Sequence, residues 1–159
     1  MNRRPMAISA ATYLRALAVA VMLGSTNAHA VFTVNAPWVR PTTERSATEA
    51  YMRLTSTEGA VLKEVRSPIA TSVVIRAAGN TRRILPELAL PAGTAVLLAP
   101  DEVRLVLRGL AHPLAIGERV PLVLTIEGAD GSHVQIPVNA EVRVRSPIDD
   151  ERRAHPPAH

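Results

Sequence analysis

Beyond residue 30 the chain alternates between apolar and polar positions. In 103–107, Val103, Leu105 and Leu107 fall on one side of an extended backbone, and Arg104 and Val106 on the other, with Arg108 continuing the second set. That period of two belongs to a strand with one face in a core. The same pattern, carried by Val, Ile, Leu and Thr, predicts strands over 31–34, 50–56, 60–65, 72–77, 94–98, 103–107, 120–127 and 133–145. Leu122, Leu124 and Ile126 mark one face of the penultimate strand. Val134, Ile136 and Val138, then Val142 and Val144, mark the last, with a bulge or a division into two strands expected near 139–141. GADGS at 128–132 reads as the hairpin between these two strands, and LPAG (90–93), APDE (99–102) and AHPLAIGE (111–118) are further turns. No sustained helical period and no internal repeat follows residue 30. Many short strands closed by Gly/Pro turns predict an all-β protein, an antiparallel β-sandwich. The segment from Ser146, SPIDDERRAHPPAH, is charged and proline-rich and reads as a disordered tail.

The first thirty residues break the pattern. Arg3, Arg4 and Arg15 accompany an apolar stretch at 16–23, and Ala28-His29-Ala30 supplies small residues at an A-x-A cleavage site. This is the pattern of a secretory signal peptide. The apolar stretch falls short of the roughly 20 residues that a membrane span needs, and no second such stretch follows. The expected organisation is a signal peptide at 1–30, one domain at 31–145 and a tail at 146–159, in a protein exported to the periplasm.

Removing the leader changes the charge. The chain carries 18 Lys and Arg against 14 Asp and Glu, and three of the basic residues but none of the acidic ones lie in 1–30. The remainder holds 15 against 14, a net charge of +1, which gives no electrostatic case for nucleic acid as a partner. The sequence contains no cysteine, which excludes disulfides, thiolate metal sites and an acylated N-terminal cysteine within it. Enzyme chemistry finds no support. Ser132 and His133 are neighbours and face opposite sides of a strand, Asp149, Asp150 and Glu151 form an acidic run in the tail, and no Gly-rich phosphate loop is present.

A set of ordered landmarks spans about 110 residues: APWVR (36–40), TEAYMRL (48–54), SPIATSVVIR (67–76), LALPAGTAVLLAP (88–100), RLVLRGLAHPLAIGERVPLVLTIEGADG (104–131) and VQIPV (134–138). Through them the sequence resembles the periplasmic copper chaperones of the PCu(A)C family. The resemblance implies a cupredoxin-like β-sandwich of Greek-key type that carries Cu(I) to the CuA centre of a respiratory oxidase, with oxidase-assembly proteins as partners. Its ligands in that family are a His ending one strand, a Met further on, and a His-x-Met pair in a later strand. Cu(I) is soft and prefers thioether and imidazole donors, and a His-x-Met pair on a strand presents both to one face.

Carried onto this sequence, the first His falls at Arg76, the His-x-Met pair at Arg104 and Val106, and the lone Met at Arg82. None of these offers a lone pair to a metal. Met52 reads as core filling, and His112 and His133 as surface residues. His155 and His159, four residues apart in the tail, are the weak metal candidates that remain. The four arginines Arg76, Arg82, Arg104 and Arg108 form a candidate face for an anion or an acidic partner. If Glu87, Asp101 and Glu102 approach them, the charges balance internally. Two readings follow: a copper-chaperone relative with an altered or absent copper site, or a metal-free periplasmic interaction protein that uses its arginine face.

Overall fold

The computed structural model describes residues 30–154. Among these, ten strands and one short helix follow in order: β1 (Phe32–Val39), β2 (Ala47–Ser56), β3 (Ala60–Arg66), β4 (Ala70–Arg76), β5 (Ile84–Leu85), β6 (Leu88–Leu90), β7 (Ala95–Leu98), β8 (Arg104–Leu110), β9 (Arg119–Gly128), β10 (His133–Val142) and α1 (Pro147–Ala154). The strands form one continuous ladder in the order β5-β4-β8-β2-β1-β10-β9-β3-β6, with β7 also on β2. The ladder folds into two layers. β5, β4, β8, β2, β7 and β1 make one; β10, β9, β3 and β6 make the other. They join where β1 meets β10, in a short parallel pairing of Trp38 with Glu141 and Val39 with Val142. Every other named strand pair is antiparallel.

The core fills the space between the layers. Ala50, Met52 and Leu54 of β2, Leu105 and Leu107 of β8, Val120, Leu122, Leu124 and Ile126 of β9, and Val138, Ala140 and Val142 of β10 are all buried in it. The expected core faces of β8 and β9 are thus the observed ones, and Met52 fills the core as expected. Burial of such aliphatic faces stabilises by roughly 1.5–3 kcal/mol per large side chain.

Three expectations are corrected. β10 carries no irregularity near 139–141: its register with β9 runs unbroken from His133–Glu127 to Glu141–Arg119. Ala140, small but fully buried, continues the apolar face there. The bulges lie instead in β1, between Asn35 and Trp38, and in β3, between Leu62 and Glu64. The short strands β5 and β6 fall in a stretch where no strand is predicted, because two or three residues are too few to show a period. The segment after Ser146 is not wholly irregular, since α1 occupies Pro147–Ala154. Its start is well made: Ile148 N–H donates to the Ser146 hydroxyl at 3.2 Å, Pro147 sits in the first turn, and Asp149 and Asp150 lie at the positive end of the helix. Arg143 ties it to the sheet through Asp150 at 2.7 Å.

Gly109 is needed inside β8. Its φ is +62°, and a Cβ there would lie 2.4 Å from Thr71 Oγ1, which donates to the Gly109 carbonyl at 3.1 Å. Gly109→Ala is expected to cost about 2 kcal/mol through left-handed strain and the displaced Thr71. A urea melt that leaves the midpoint unmoved contradicts this.

Candidate functional site

The positions that the family resemblance assigns to copper come together on the outer face of the β4–β8–β2 layer. Arg76 and Arg104 are direct cross-strand partners, and the next pair on that face is Val74 with Val106. Cβ atoms of such opposed residues lie roughly 5 Å apart. Glu49 of β2 sits opposite Val106. Arg76, Arg104, Val106 and Glu49 therefore share one small area.

A backbone irregularity completes this face. Before the β1 bulge, Phe32 and Val34 pack on the core; after it, the core residue is Val39. Ala36, with φ of 48°, and Pro37 absorb the shift. Trp38 consequently turns to the outer face and lies opposite Tyr51, their ring centroids 4.5 Å apart and tilted by 40°. Such a pair adds about 1 kcal/mol beyond its buried area.

Glu49 is the hub. Its Oε1 accepts from Arg104 Nε at 2.9 Å, and its Oε2 accepts from the Tyr51 hydroxyl at 2.5 Å, with Arg40 Nη1 3.9 Å away. Burial, reinforced by the bond to Glu49, holds the Tyr51 hydroxyl well above the ordinary phenol range. The rest of the Arg104 guanidinium is equally committed. Nη1 donates to the carbonyls of Glu102 at 3.1 Å, Gly79 at 3.3 Å and Ala77 at 3.4 Å, and Nη2 donates to Gly79 at 3.3 Å. Only 7% of Arg104 remains exposed. It is a buried staple joining β8, β2, the 77–83 loop and the 99–102 turn.

This corrects the reading of Arg104 and Arg108 as one exposed arginine face. Arg104 is withdrawn from solvent, and Arg108, opposite Ser72 and Ala47, lies at the far end of β8, about 14 Å away along an extended strand. The compensating acid is Glu49, not the expected trio. Glu87 pairs with Lys63, and Glu102 contributes its carbonyl. Asp101 serves through its carbonyl too, accepting from Gly79 N–H at 3.0 Å. Sequence reasoning missed Glu49 because its partner is 55 residues away; the one local signal was a carboxylate amid a strand otherwise rich in apolar residues.

Arg76 is less settled. Its Nε is buried and finds no hydrogen-bond partner. Arg82 and Arg83 are exposed in the adjoining loop, which closes back on β4 through Ala77 N–H and the Arg83 carbonyl at 3.0 Å.

Residues 32–138 match the sequence profile of the LpqE-like family. The chain belongs to the LpqE-like family. The family's description is of a lipoprotein; the 159 residues of this LpqE-like chain contain no cysteine to carry a lipid. Its fold is that of solved PCuAC domains. It is similar to the apo PCuAC domain from PmoF1, at 19% identity and a TM-score of 0.62, covering 72% of this chain and 94% of that one. It is similar to the copper-bound PCuAC domain from PmoF2, at 20% identity and 0.57, covering 70% and 93%. It is also similar to CuI-DR1885 from Deinococcus radiodurans, at 27% identity and 0.52, covering 74% and 79%. No curated protein matches. The expected cupredoxin-like sandwich is therefore the fold of this LpqE-like chain.

The residues present do not fit Cu(I) as cargo at these positions. Arg104 spends its donors on Glu49 and three carbonyls, Val106 is an alkane, and Arg76 is a cation beside another cation. Among the described residues no three His, Cys, Asp or Glu come together. Met52 is 1% exposed on the core side, the opposite face of β2 from Glu49. His112 and His133 face Glu118 and Glu127 at 2.5 and 3.2 Å. His155 and His159 lie outside the described residues.

Proposed function

We propose that this LpqE-like protein is exported to the periplasm and takes part in copper handling for oxidase assembly as a partner-binding component, without carrying Cu(I) at the family position. The leader-like 1–30 segment supports export, and the PCuAC fold supports the copper context. Among the described residues no helix is long and apolar enough to cross a membrane.

What supports the metal-free part is the commitment of the Arg104 guanidinium, at the position where the resemblance puts the first His-x-Met ligand, to Glu49 and three carbonyls. A permanent cation there repels a copper ion and also does mechanically what a bound ion does, since it ties two loops and two strands to one point. The domain thus needs no metal to order that end.

The test is a titration of the purified protein with Cu(I) against a competing chelator. The parent and a His155→Ala/His159→Ala variant are both expected to leave the copper with the chelator. Stoichiometric uptake that survives the double substitution would overturn the reading. Uptake lost with those two histidines would move copper carriage to the tail and equally refute a metal-free role.

A further inference from the structure

We infer that Arg76, with Arg82 and Arg83 of the adjoining loop, forms a binding site for an oxyanion, a carboxylate or phosphate group, at the positions where the family resemblance places a cation. The inference rests on the reading that these positions do not hold Cu(I). Among the described residues the Arg76 Nε is the buried side-chain polar atom left without a hydrogen-bond partner. Native proteins rarely bury a charged donor unpaired, because the group loses water and gains nothing in return. Arg76 also stands directly opposite Arg104, and like charges opposed across a ladder repel.

Among the described residues no acidic side chain is paired with Arg76. Both oxygens of Glu49 are taken, one by Arg104 and the other by Tyr51, with Arg40 close by. Glu87 is engaged by Lys63. Asp101 and Glu102 are exposed and form no ion pair with an arginine among the described residues. The carbonyls of Ala77, Gly79 and Glu102 accept from Arg104. Carbonyls in any case cannot neutralise a second guanidinium.

The loop adds two more cations. Arg82 and Arg83 are exposed and form no ion pair among the described residues. They directly precede Ile84, the cross-strand partner of Arg76 on β5. A planar or tetrahedral oxyanion placed there accepts from the part of the half-buried Arg76 guanidinium that reaches solvent and is screened by the loop guanidinia, the chemistry by which arginine recognises carboxylate and phosphate. The fold that elsewhere presents electron-pair donors to a soft cation here presents fixed N–H donors to an anion. The oxyanion has two possible sources: a free small anion, or an Asp or Glu side chain of a partner protein.

The experiment follows the Arg76 Nε–H resonance of the isotope-labelled protein during titration with inorganic phosphate, with chloride at matched ionic strength as the control, and separately with a short Glu/Asp-rich peptide. A saturable shift with phosphate, peptide or both is expected, and none with chloride. Arg76→Gln is expected to weaken binding by about tenfold or more, the loss of one charge-assisted hydrogen bond. In that variant the shifts of neighbouring backbone amides give the readout. Arg82→Gln/Arg83→Gln should weaken binding, while Arg108→Gln, remote along β8, should bind as the parent does. Tighter binding of the peptide than of phosphate assigns the site to an acidic partner; the reverse assigns it to a free anion. Absence of a saturable shift with either probe, or parental affinity in Arg76→Gln, overturns the inference. Such a failure leaves the copper titration untouched, so the two readings fall separately.

Discussion

Glu49→Ala is expected to lower the stability of the domain by about 3 kcal/mol, the low end of the range for breaking a buried ion pair from one side. The substitution strands the Arg104 guanidinium, whose side chain is 8% exposed, and removes the acceptor of the buried Tyr51 hydroxyl. The low end applies because the Glu49 side chain keeps 24% exposure and part of its hydration. The companion variant Glu49→Gln/Arg104→Met removes both charges and is expected to recover most of the loss, since no charge is left unpaired and the amide oxygen introduced at position 49 still accepts from Tyr51. Chemical denaturation of the three proteins measures this. A loss below about 1 kcal/mol in Glu49→Ala, the ordinary worth of an exposed pair, would show that the staple has no energetic weight.

The second large effect is a gain of binding. In the variant Arg76→His/Arg104→His/Val106→Met, one-to-one uptake of Cu(I) is expected where the parent takes up none. Positions 76 and 104 face each other across the ladder, and 104 and 106 share a strand face at about 7 Å. Two imidazoles and a thioether are thereby presented to one point. Glu49, freed of its guanidinium, then offsets the charge of the ion. Uptake should fall as the solution is acidified through about pH 6.5, where free imidazoles protonate. Chelator competition and X-ray absorption report the affinity and the nitrogen and sulfur ligands. A folded variant that still takes up no copper would show that these three positions do not form a donor set.

The legibility of this protein differed sharply between its core and its site. The core faces of β8 and β9 could be read directly, because alternation records which side of a strand is buried. The start of α1 was also written locally, in Ser146, Pro147 and the acids that follow, but composition argued for disorder and obscured it. Eight residues of helix are marginal alone, and the Arg143–Asp150 pair that anchors this one spans strand and helix. The site fared worse. Arg104 looked like an exposed charge because its strand face opposes the core, and a two-sided strand is burdened with whatever covers its other face. That cover comes from the 77–83 loop, the 99–102 turn and the aromatic pair, none adjacent to one another in the chain.

By itself the sequence established an all-β chain with a leader-like start, its main core residues, and a PCu(A)C-like frame. All of these depend on side-chain type and on periods of two, which are local. Only the tertiary structure decided that Arg104 is buried, that Glu49 balances it, that a bulge turns Trp38 outward, and that Arg76 keeps an unanswered charge. Each of those depends on which distant strand lies alongside, and strand register is settled by the packing of the whole sandwich.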